Sequence, residues 1–91
     1  MGKFKTKITK ILEDLGLTNF EVQVNFAEIQ LDNGQIIAIR TRYDDYRVEW
    51  YNNEDQYKRN VKRNLFVTKN FYEIPYIVKN LILGDISKLE A

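Results

Sequence analysis

Asp32-Asn33-Gly34 stands between two runs of alternating apolar residues, and a turn of that composition constrains this chain more than any other feature. Asn-Gly and Asp-Gly segments supply the positive φ that tight hairpins need, so the flanking runs are expected to pair as antiparallel strands. A two-residue loop at Asn33-Gly34 would oppose Gln30 to Ile37 and Glu28 to Ile39, mixing polar with apolar side chains. A three-residue loop with Gly34 left-handed opposes Ile29 to Ile37 and Ala27 to Ile39, and keeps one face apolar. The three-residue loop is the expected one, with the following strand over about 35–43.

Asp44-Asp45 then makes a turn, and Tyr46, Val48 and Trp50 alternate with Arg47, Glu49 and Tyr51 in a further strand. The alternation assigns Tyr46 and Trp50 to the core with Val48. Upstream, Phe20, Val22, Val24 and Phe26 alternate with Glu21, Gln23 and Asn25, but Ile29 and Leu31 fall on odd positions. Read as one strand over 20–31, this change of phase requires a β-bulge near Ala27.

The two ends have helical period. Phe4, Ile8, Ile11, Leu12 and Leu15 form one stripe, Gly16 sits where a left-handed residue ends a helix, and Leu17 can fold back on the last turn. A helix over about 3–15 is expected. Ile74, Ile77, Val78, Leu81 and Ile82 form a second stripe, with Pro75 in its first turn and Gly84 at its end. Between them, 53–66 reads either way. Asn53 as N-cap, Gln56 three residues on, and Glu54 and Asp55 in the first turn favour a helix. The strand reading puts Arg59 and Arg63 on the face of Tyr57, Val61 and Leu65, and is the less favoured one. The predicted fold is α+β: a three-stranded antiparallel meander, N- and C-terminal helices packed on one face, and a short basic helix before the last helix. At 91 residues the chain is expected to make one domain.

Composition excludes most catalysis. With 44% hydrophobic residues the chain is too apolar to be disordered, but it has no histidine and no cysteine. Disulfides, thiolate nucleophiles, zinc clusters and the usual general base near neutral pH are therefore missing, and the lone Ser87 has no histidine to activate it. Asp44, Asp45, Glu49, Glu54 and Asp55 are close in sequence and could hold Mg²⁺, yet Asp44-Asp45 is already explained as a turn. A small nuclease, metal-dependent through those carboxylates or histidine-free and using Arg40, Arg42, Tyr43, Tyr46, Arg47 or Tyr51, is the remaining enzymatic alternative. No catalytic residue, metal or cofactor is expected.

No apolar run approaches a membrane span, and no signal peptide is recognisable. Met1-Gly2-Lys3-Phe4-Lys5-Thr6 fits the N-myristoylation pattern, but Phe4 already has a place in the first apolar stripe. The abundance of Lys, Asn, Ile, Tyr and Phe, whose codons are rich in A and T, points to a low-GC bacterium, its plasmids or its phages. A cytoplasmic protein without a membrane partner is expected.

The net charge of +1 conceals blocks. Residues 1–10 carry four lysines and no acid, residues 11–34 five acids and no base, and residues 56–63 carry Lys58, Arg59, Lys62 and Arg63. On a helix those four cations span an arc of about 140° opposite the apolar side, a face suited to phosphates. Arg40, Arg42, Arg47, Glu49 and Tyr51 would lie together on an uncovered sheet face, offering the residue types that anchor protein interfaces. The order helix, meander, helix is similar to that of double-stranded RNA-binding domains. The likeness stops at the order, because their Lys-Lys cluster is replaced by Asn70-Phe71-Tyr72-Glu73-Ile74-Pro75. The expected function is non-catalytic binding to a host protein or nucleoprotein complex, as a phage- or plasmid-encoded inhibitor of the anti-restriction or anti-CRISPR type. Direct nucleic-acid contact through 58–63 is the alternative.

Overall fold

The computed structural model describes residues 3–84. Helix α1 (Lys3–Asp14) buries Ile8 and Leu12 completely, each worth about 1.5–3 kcal/mol. It ends as the sequence predicts: Gly16 has φ +82°, its N–H donates to the Glu13 carbonyl, and the Leu17 N–H donates to that of Leu12. This pair of bonds is the Schellman arrangement, which satisfies carbonyls the helix would otherwise leave open.

Five strands follow in a continuous antiparallel meander: β1 (Phe20–Val22), β2 (Phe26–Gln30), β3 (Ile36–Thr41), β4 (Tyr46–Tyr51) and β5 (Asn64–Thr68), in that spatial order. The α+β class holds, but the three-stranded meander is corrected at both edges. At the first edge, the expected bulged strand over 20–31 is a hairpin. Phe20 faces Ile29, Val22 faces Ala27, and the Gln23 N–H donates to the Phe26 carbonyl across a loop of Val24 and Asn25. Paired residues in a two-residue hairpin differ in parity, so even-numbered Phe20 and Val22 share a face with odd-numbered Ala27 and Ile29. The phase change is a chain reversal, concealed because Val24-Asn25 carries no Gly or Pro.

The Asp32-Asn33-Gly34 loop has the three-residue form. Gly34 has φ +89°, Leu31 pairs with Gln35, and Ile29 faces Ile37 while Ala27 faces Ile39. At the other edge, the helix expected over 53–66 is only α2 (Glu54–Lys58). The Asn53 side chain caps it by accepting from the Gln56 N–H at 2.8 Å. Asn60 stops it: at φ +60° its N–H donates to Tyr57 and that of Val61 to Gln56, a second Schellman end. The chain then turns into β5. Lys58, Arg59, Lys62 and Arg63 therefore do not form a helical basic face.

A short 3₁₀ turn (Phe71–Glu73) leads into helix α3 (Ile74–Leu83), with Pro75 in its first turn and Gly84 left-handed after it. Ile74, Ile77, Val78 and Leu81 of α3 pack with Ile8 and Leu12 of α1 on the inner sheet face, made of Ala27, Ile29, Ile37, Ile39, Val48 and Trp50. Trp50 and Tyr46 belong to this core as expected.

Candidate partner-binding surfaces

Alternation puts Glu28, Ala38 and Glu49 in one cross-strand row on the outer sheet face, with Leu65 beyond them on β5. The face is not uncovered. Helix α2 lays Tyr57 over its middle, where Tyr57 meets Tyr51 edge-to-face at 4.9 Å, and Ile36, Ala38 and Tyr51 are buried with Phe26 and Tyr57 against them. Glu49 and Tyr51, expected at a docking surface, are thus interior: the loop and capped turn after β4 bring the chain back across its own sheet.

Polar groups enclosed there satisfy one another. The Tyr51 hydroxyl donates to Glu49 Oε1 at 2.7 Å, Arg40 Nε lies 3.2 Å from both Glu49 oxygens, and the Tyr57 hydroxyl donates to Glu28 Oε1 at 2.7 Å. Partial burial opposes the charge on Arg40, but the hydrogen bond and charge of Glu49 outweigh it and raise its pKa. Burial, then the bond to Glu49, raises that of Tyr51. Burial, then the bond to Glu28, pushes Tyr57 up to about 12. Both phenols act as fixed donors, unsuited to the role of base or nucleophile at neutral pH.

This arrangement gives an alkaline prediction. The Tyr57 phenol holds its proton more tightly in the folded state, so its stabilising share is complete below the ordinary tyrosine value of 10.0 and is lost as pH rises through about 12. The urea midpoint of Tyr57→Phe should therefore fall less than that of the parent over this interval. Equal slopes would contradict the assignment.

The other expected site residues are dispersed. Lys58 and Arg59 are exposed but lie beside Glu54 and Asp55, at 3.6 and 2.6 Å. Lys62 and Arg63, in the connection to β5, rest on the rings of Tyr51 and Trp50, at 5.9 and 4.2 Å. The acidic residues considered for Mg²⁺ are spread over these pairs, the outer-face network and the β3–β4 turn, and no group of three metal-type ligands is gathered among the described residues. Gly2 and Ser87 lie outside the described residues, within which no helix is long and apolar enough to cross a membrane.

Two surfaces remain open. On the outer face, Arg47 is directly opposite Arg40 on the neighbouring strand and opposite Val67 on β5. Glu49 serves Arg40, whereas Arg47 has no carboxylate at salt-bridge distance among the described residues. Beside it, Leu65 and Val67 are 41% and 53% exposed on the edge strand. The second surface is a cleft of about 440 Å³ between α1, the β3–β4 turn and the segment after β5, which gathers Arg42 with Lys3, Lys7 and Lys69. Lys69, Leu65 and Val67 were not legible as surface determinants, because each depends on where β5 lies. Asn60 was the available signal, as a residue type that favours a left-handed helix stop.

No family model, no curated protein and no solved structure matches the chain.

Proposed function

We propose that the protein works without catalysis, by docking the open part of its outer sheet face onto an acidic surface of a host protein. The observation that carries this reading is Arg47. Like charges directly opposite on neighbouring strands are unfavourable, and here one member of the pair has no counter-ion among the described residues while exposed Leu65 and Val67 flank it. A partner carboxylate would relieve the repulsion, and the two apolar side chains would supply the dry centre that interface anchors require. The exposed edge of β5 adds backbone groups open to pairing. Together with the AT-rich composition and the lack of histidine and cysteine, this supports an inhibitor encoded by a phage or plasmid, of the anti-restriction or anti-CRISPR type, acting in the bacterial cytoplasm by covering a host surface.

The test separates binding from folding. Arg47→Glu removes a like-charge pair and gives Arg40 a second carboxylate, so the variant should be as stable as the parent or more so, by up to about 1 kcal/mol. Affinity for the host protein captured by the parent should nevertheless fall about 30-fold, the scale of a central interface residue. Undiminished capture by a folded Arg47→Glu variant would move the interface elsewhere.

A further inference from the structure

The cleft beside the β3–β4 turn is a second site, and its chemistry differs from that of the outer face. Four cations reach it from three parts of the chain: Lys3 and Lys7 from α1, Arg42 from the turn, and Lys69 from the segment after β5. None of the four is at salt-bridge distance from a carboxylate among the described residues, although Asp44 and Asp45 line the same cleft. The first turn of α1 carries no acid and opens on Lys3, which adds to the positive end of the helix dipole instead of offsetting it. Phe4, Tyr46 and Phe71 also line the cleft, with Lys7 Nζ 5.4 Å from the Phe71 ring centre. Tyr43 stands fully exposed beside them.

We propose that this cleft binds a nucleotide, with its phosphate among Lys3, Lys7, Arg42 and Lys69 and its base against Tyr43. A nucleotide combines in one ligand the anion and the flat ring that the lining calls for. An acidic peptide would satisfy the cations but offers no flat ring to lie against Tyr43. The volume is within the range of small-ligand sites, about 300–1,000 Å³. The nucleotide could be free or one unit of a single strand, and either source presents the same chemistry. This site goes beyond the protein-docking reading and does not depend on it.

The experiment measures binding of a fluorescent single-stranded oligonucleotide by anisotropy, and of free adenosine and guanosine nucleotides by calorimetry, at about 50 mM salt. On a strand the four cations can meet up to four successive phosphates, for which log K falls against log salt with a slope of about −2.8, and Lys7→Ala/Arg42→Ala should roughly halve that slope. Tyr43→Ala should weaken binding about tenfold and leave the slope unchanged, because stacking does not release counter-ions. Arg47→Glu lies outside the cleft and should still lose affinity in Lys7→Ala/Arg42→Ala, as the parent does, which keeps failure of this site distinct from failure of the protein interface. A free nucleotide bound as tightly as the strand assigns a small-molecule site, and a strand bound more tightly assigns single-stranded nucleic acid. The proposal is overturned by absence of both, by binding indifferent to the double substitution in variants that melt like the parent, or by tighter binding of a poly-glutamate peptide than of any nucleotide.

Discussion

Trp50→Ala is expected to leave the protein at or below the edge of folding even without denaturant. Trp50 is 1% exposed, lies opposite Ile37 on β3 and Asn64 on β5, and belongs to the cluster that α1 and α3 close. Its ring is covered by the Arg63 guanidinium at 4.2 Å, and its Nε1 donates to Gln35 Oε1 at 3.2 Å. Truncation removes all of these contacts, and the surrounding sheet cannot collapse to fill the space without breaking its register. The cost should be about 3–5 kcal/mol. Native proteins hold only about 5–15 kcal/mol in total, with small domains toward the lower end. Trp50→Phe keeps most of the apolar volume and should cost about 1–2 kcal/mol. Urea unfolding followed by circular dichroism measures both. A Trp50→Ala midpoint close to that of the parent would show that the sheet does not depend on this side chain.

Arg40→Met should be the costly half of the outer-face ion pair, and Glu49→Leu the cheaper half. The asymmetry lies in solvent access: the Arg40 side chain is 44% exposed, whereas that of Glu49 is 4% exposed. Without Glu49, the guanidinium can turn into water. Without Arg40, the carboxylate stays enclosed with only the Tyr51 hydroxyl for company, at a cost of about 3 kcal/mol. Adding Glu49→Leu to Arg40→Met should return most of that loss, since a buried charge pair replaced by apolar groups of similar volume is often neutral in stability. The double-mutant cycle should give a coupling of at least about 1 kcal/mol. Additive losses would mean that the two side chains are neighbours without being partners.

The legible part of this fold was written in local chemistry. Gly16, Gly34, Pro75 and Gly84 each mark an element end that the structure keeps, and the register around Asp32-Asn33-Gly34 follows from matching apolar faces. Both edge strands escaped the same reading because neither turn carries a Gly or Pro. Val24-Asn25 reverses the chain inside what reads as one continuous alternation, and Asn60 ends α2 after only five residues. The site suffered from the same gap. Once α2 is short and β5 exists, Glu49 and Tyr51 become interior, Leu65 and Val67 become surface, and Lys69 is carried to the N-terminal lysines. The charge blocks were visible in the sequence, but which of them converge is a property of the meander.

The outer face is closed where α2 crosses it, and the proposed docking surface is the part left open at Arg47 and along β5. Amide hydrogen exchange of the protein alone and bound to its captured host protein tests this directly. The account predicts slowed exchange over Asn64–Thr68 and around Arg47, with β1 unchanged. Protection confined to β1 or to the solvent side of α1 and α3, with β5 exchanging as in the free protein, would contradict it.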